Sequence, residues 1–125
     1  MTAIGNSDTH SVRQTPGYPR NYLPTSADQP HLITKAEVVD AVRSGNVIMG
    51  GAALLTLGDG VDPGDDVRVM GSELVIPIKV ETPSFTRIHR IIGVGNGQIV
   101  LDQSVTATLE SLVDFEGNVT IPVDE

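Results

Sequence analysis

The sequence predicts a mainly β (α+β) fold: an antiparallel β-sandwich or partial barrel, with one helix and an extended N-terminal arm. Three observations carry this. From Asn46 onward, short apolar runs alternate with turn-forming residues at close intervals, the pattern of an all-β layer structure. One capped segment has helical apolar spacing. Residues 1–30 carry Gly5, Pro16, Gly17, Pro19, Pro24 and Pro30 among polar residues, a composition that sustains no helix and limits strand pairing.

Each element follows from local chemistry. Ile33 to Gly45 reads as the helix, since Thr34 and Glu37 have the spacing of a capping box and Gly45 is a natural C-terminal stop. Val38, Val39 and Val42, with Ala41 beside them, form its apolar stripe. Strands are expected at Val47–Met49, Ala52–Leu57, Val67–Met70, Leu74–Glu81, Arg87–Val94, Gln98–Leu101, Val105–Phe115 and Val119–Val123, with a strand end at Thr2–Ile4. In Leu74–Glu81 the residues Leu74, Ile76, Ile78 and Val80 fall on one face. Pro77 lacks a backbone N–H and places that strand at an edge, or leaves it one unpaired side. Asn96-Gly97 is a type I′ hairpin signal, and Glu116-Gly117-Asn118 reads as a second tight turn. The acidic run Asp59 to Asp66 fails the EF-hand frame, because the twelfth position from Asp59 is Met70 rather than Glu, and reads as a turn. The expected division is an arm over 1–30 carrying a metal motif, then a helix plus β-sandwich domain over 31–125 with no linker inside it.

At 125 residues the chain can bury a real core. Two Phe, two Tyr and no Trp leave that core to Val, Ile and Leu, which favours sheet. A formal charge of −8 argues against a nucleic-acid partner and against an anionic membrane surface. Without cysteine there is no disulfide framework and no thiolate metal site. No basic segment followed by an apolar run opens the chain, and no run is long enough to span a membrane, so neither a signal peptide nor a transmembrane segment is expected.

Chemistry concentrates near the start, in Gly5-Asn6-Ser7-Asp8-Thr9-His10 and Gly17-Tyr18-Pro19-Arg20. In an extended segment Asp8 and His10 point to the same side, where a carboxylate oxygen and an imidazole nitrogen can approach one metal ion. Two donors are too few for a complete site. His31 and His89 have no carboxylate at ligand spacing and read as surface or half-buried residues.

These residues resemble a known family. Ile4-Gly5-Asn6-Ser7-Asp8-Thr9-His10 followed by Gly17-Tyr18-Pro19-Arg20-Asn21-Tyr22 is similar to the last metal-binding motif of the PHP metallohydrolase superfamily, in the branch of the CehA/McbA type. The helix at Thr34–Ser44, the turn Pro63-Gly64-Asp65 and the hairpin Asn96-Gly97 sit in the matching order. The resemblance implies a metal-dependent hydrolase of the phosphoester, ester or carbamate class, using a cluster of divalent ions (Zn, Mn or Fe) in a distorted α/β barrel to polarise a phosphoryl or carbonyl oxygen and activate water. By it Asp8 and His10 would be metal ligands, and Tyr18 and Arg20 would bind substrate at the site mouth, Arg20 gripping an anionic group. The His-x-His motif that opens the family's barrel has no counterpart here. The expectation is therefore a C-terminal part whose site needs a companion barrel chain or a second copy, inactive alone, with residues 1–30 extended, mobile or docked on a neighbouring subunit. The alternatives are a non-catalytic β-sandwich module for binding or assembly, and a structural protein whose arm reaches over a neighbour.

Overall fold

The computed structural model describes residues 2–108 and 110–123. Its elements in order are β1 (Arg20–Tyr22), α1 (Lys35–Ser44), β2 (Ile48–Gly50), β3 (Leu54–Leu57), β4 (Glu73–Glu81), β5 (Arg90–Gly95), β6 (Gln98–Ser104) and β7 (Val113–Pro122), with one 3-10 turn at Pro30–Leu32. The strands form three antiparallel sheets, β1–β2, β3–β4–β7 and β5–β6, so the mainly β class with one helix holds. The chain divides into two compact units, Met1–Gly51 with Asp62–Asp66, and Ala52–Val61 with Val67–Glu125. The helix thus falls in the same unit as the arm. The cause is pairing: β2, beyond the helix, pairs antiparallel with β1 in the arm, Arg20 opposite Gly50 and Tyr22 opposite Ile48.

In the first unit the helix ends are built as the sequence predicts. Glu37 N donates to Thr34 Oγ1, and the Glu37 carboxylate accepts from Thr34 N at 2.7 Å, completing the capping box. The same carboxylate accepts from Ser26 Oγ and Ser26 N, tying the preceding loop to the helix start. Gly45 closes the other end at φ 85, and Asn46 N donates to Ala41 O at 2.9 Å. Ala41 is the buried residue of α1, while Val38 lies exposed, so the apolar stripe is narrower than expected. The turn Pro63-Gly64-Asp65 seats against the helix C-terminus. A Cβ on Gly64 would lie 2.2 Å from Ser44 O, so only glycine fits there. No strand forms at Thr2–Ile4. Instead the Asn21 side-chain amide holds the arm, accepting from Gly5 N at 2.7 Å and donating to Gly5 O at 2.8 Å, in place of a strand neighbour.

The second unit is organised on β4, whose Ile76, Ile78 and Val80 face inward as the alternation predicts. Ile78, Val80 and Val119 form the buried cluster, with Leu55 and Leu57 from β3, Phe115 from β7, and Ile91 and Leu101 from the β5–β6 sheet packed against it. Two sheets therefore share one apolar interior. β4 is the central strand, not an edge. Pro77 is tolerated because β3 stops at Leu57, beside it: Gly58 N donates to Pro77 O at 2.9 Å, and the donor that proline lacks falls where that ladder ends. Neither alternative that its sequence position left open, an edge strand or one with an unpaired side, describes β4, which pairs with β3 on one side and β7 on the other.

Two strand expectations are corrected. Val67–Met70 stays outside any sheet, since both ladder sides of β4 belong to β3 and β7; Val67 and Met70 are exposed. Glu116-Gly117-Asn118 is not a turn. β7 runs through it, with Asn118 opposite Pro77, Gly117 opposite Ile78 and Glu116 opposite Lys79. A full row of partners, one an opposite-charge pair, overrides turn chemistry. The residues expected to begin that strand at Val105 form a loop, and the strand begins only at Val113; residue 109 lies outside the described residues. The Asn96-Gly97 hairpin forms as expected, with φ 50 and 79 and Gly95 opposite Gln98.

One ionic cluster is buried here. Asp114 Oδ2 accepts from Thr82 Oγ1 at 2.9 Å and from Ile88 N at 2.8 Å. Arg87 Nε stands 3.5 Å from Asp114 Oδ1, and the guanidinium donates to the carbonyls of Pro83, Thr86 and Thr108. Oδ1 itself has no hydrogen-bond partner.

These contacts make three predictions. Thr34→Ala should cost about 1 kcal/mol through loss of the cap. Hydrogen bonds led by the Ser26 hydroxyl, with the Thr34 groups, hold the Glu37 pKa down at about 2. Because the folded value lies below the unfolded one, its contribution is complete above the ordinary carboxylate range and lost as pH falls toward about 2. Acid titration of Glu37→Gln, followed by helix circular dichroism, should show a flatter profile in that window. Asp114→Ala should destabilise the second unit by about 3–5 kcal/mol, because it strands a buried guanidinium, and Arg87→Met combined with Asp114→Leu should recover most of that loss in denaturant melts.

Candidate functional site

Asp8 and His10 do come together, though not by strand alternation. Asp8 sits at φ 48 in the left-handed region, a conformation Asp reaches more readily than most residues. The Asn6 side chain accepts from Asp8 N at 2.9 Å and fixes that turn from the N-terminal side. On the other side Gln14 Oε1 accepts from His10 N and, at 3.0 Å, from Ser11 N, closing the turn over residues 11–14. The kink, not an extended backbone, brings the carboxylate and imidazole face to face.

The imidazole geometry defines its donor atom. His10 Nδ1 lies 2.5 Å from Asp8 O, and a carbonyl oxygen only accepts, so Nδ1 carries the proton. A bonded Nδ1–H leaves the Nε2 lone pair free in the neutral ring, the arrangement usual for a metal-binding histidine. Nε2 stands 3.5 Å from Asp8 Oδ1, and both side chains are open to solvent, at 74% and 84% exposure. Two donors each about 2.0–2.2 Å from one tetrahedral ion lie roughly 3.4 Å apart, so this spacing matches a metal bite. The count does not. Among the described residues no group of three or more His, Asp or Glu side chains is placed to hold a metal ion. The residues present thus fit part of a coordination shell and not a whole one. When His10 is protonated the same pair is an exposed ion pair of small energetic weight.

Tyr18 and Arg20 lie on the β1–β2 side of the first unit. The Tyr18 ring covers Gly51, where a Cβ would meet Tyr18 Cζ at 3.5 Å, and the residue remains half exposed. Arg20 opens β1 opposite Gly50 and is exposed, with no carboxylate partner among the described residues. Among the described residues no hydrogen bond or ion pair joins either side chain to Asp8 or His10. His31 and His89 are both exposed, outside any metal-holding group. A cavity of about 420 Å³ runs beside α1, lined by Ser26, Glu37, Asp40, Ser44 and Asn46 among others. A second, of about 340 Å³, lies where β3 ends, against Leu57, Pro77, Ile78 and Gly117. Neither includes the four residues singled out by the sequence.

Sequence reasoning missed two features that hold this region in place. The Asn21–Gly5 clasp was present only as two residues of separate motifs, sixteen positions apart. Gln14 gave no signal at all. Comparison with known proteins found no matching family model, no similar curated protein and no similar solved structure. Among the described residues no helix is long and apolar enough to cross a membrane.

Because both side chains are largely exposed, Asp8→Ala and His10→Ala should each leave the thermal midpoint nearly unchanged, within about 0.5 kcal/mol of stability. A larger loss would make the pair a structural brace.

Proposed function

We propose that Asp8 and His10 form one half of a divalent-metal site completed by another polypeptide, and that the chain is the C-terminal part of a PHP-like metal-dependent hydrolase, inactive alone. The observation that supports this is the 3.5 Å separation of Asp8 Oδ1 and His10 Nε2, with the imidazole tautomer set by the Asp8 carbonyl. The order of the sequence motifs supports it as well. A bound metal would supply Lewis-acid polarisation of a phosphoryl or carbonyl oxygen and a water activated at neutral pH. The chain's own part is to present two donors in fixed register on an exposed turn. Arg20, exposed beside Tyr18, would meet an anionic substrate group as a bidentate donor.

A second reading has its own support. Val94 and Ile99 stand directly opposite each other on the β5–β6 hairpin, and with Ile92 they are exposed. Such a stripe suits a non-catalytic binding or assembly module.

Calorimetric titration of the purified chain with Zn²⁺ and Mn²⁺ separates the two. Saturable binding that disappears in both Asp8→Ala and His10→Ala is expected. Absence of binding would remove the metal reading and leave the assembly module. Metal-dependent turnover of an aryl phosphate or ester by the chain with no second polypeptide would contradict the half-site.

A further inference from the structure

We infer that Asn96 is a site of spontaneous covalent modification, losing its side-chain amide through a succinimide formed with Gly97 and ending chiefly as isoaspartate. The reaction is redox-neutral and needs only water. Gly97 N attacks Asn96 Cγ, the N–Cγ bond forms, the Cγ–Nδ2 bond breaks, and ammonia leaves with the amide proton. Water then opens the ring at either carbonyl, giving aspartate or isoaspartate.

The turn supplies what this needs. Gly97 carries no side chain to shield its nitrogen, and nothing lies within 4 Å of where a Cβ would stand. Asn96 and Gly97 are both exposed. In a two-residue I′ hairpin the flanking residues, here Gly95 and Gln98, make the closing bonds, which leaves the Gly97 N–H outside the ladder.

The other four asparagines are restrained. The Asn21 amide is bonded to Gly5 at both ends. Val47 N, the nitrogen that would attack Asn46, donates to Gly45 O at 2.8 Å. Asn118 is inside β7 and precedes the buried, β-branched Val119. Asn6 has its Oδ1 engaged by Asp8 N and precedes Ser7, which has a side chain where Gly97 has none.

The consequence is structural. Isoaspartate inserts one extra backbone carbon into a loop with room for two residues, and adds a negative charge to a chain already at −8. The pairs Gly95–Gln98 and Val94–Ile99 are built on the unmodified turn length. Among the described residues β5 and β6 pair only with each other, so no third strand there holds the register when the turn changes.

The test is to keep the folded protein in warm, mildly alkaline buffer and follow peptide maps with enzymatic methylation of isoaspartate. Loss of the Asn96 amide ahead of the other four is expected, with faster backbone hydrogen exchange in β5 and β6 of the converted protein. Asn96→Gly, which keeps a turn tolerant of positive φ, should abolish the methylation signal in the peptide that spans position 96. Conversion of another asparagine first would overturn the assignment. So would survival of the Asn96 amide through a period in which a free peptide of residues 92–100 converts. Unchanged exchange in the converted protein would overturn the structural consequence.

Discussion

The second unit depends on one long ladder. β4 and β7 pair from Glu73–Pro122 to Glu81–Val113 and bring Ile78, Val80 and Val119 onto the same inner face. With no tryptophan and few other aromatics, this small cluster must collect apolar area from several directions. Leu55 and Leu57 arrive by extending the sheet, and Ile91 and Leu101 arrive from the second sheet. Neither contribution is available unless the ladder is already in register. A one-residue slip would send Ile78 and Val80 outward and Pro77 and Lys79 inward.

That ladder also explains the uneven legibility of the sequence. The helix could be read almost residue by residue, because its signals are local: Thr34, Glu37 and Gly45 act within a few positions of one another. The Asn96-Gly97 hairpin was legible for the same reason. Glu116-Gly117-Asn118 was misread since nothing within it reveals that Lys79, Ile78 and Pro77 wait opposite. Val67–Met70 failed in the other direction, with strand propensity and no strand left to join. Pairing over long separations decides between such options, and propensity alone cannot see it.

The candidate site shows the same division. Its residues were legible as a pair, yet the reason given for their meeting was not the operative one. Alternation along a strand would have aligned them, whereas a left-handed Asp8 and a bonded Gln14 turn them toward each other. The clasp between Asn21 and Gly5 then holds the segment that leads to this turn. Ahead of β1, short side-chain bonds replace backbone pairing in the arm, which is why no periodic pattern announced its conformation.

The discontinuity of the first unit bears on how the molecule is made. Asp62–Asp66 is encoded after β3 but completes the earlier unit, with Gly64 seated against Ser44 and Gly45. On a ribosome the amino-terminal unit cannot finish until β3 and the turn beyond it have emerged, so the usual order of one domain maturing before the next begins is broken. Dissecting the protein by cutting after Gly51 would therefore yield an unfinished piece, and the smallest faithful amino-terminal fragment must carry residues through Asp66.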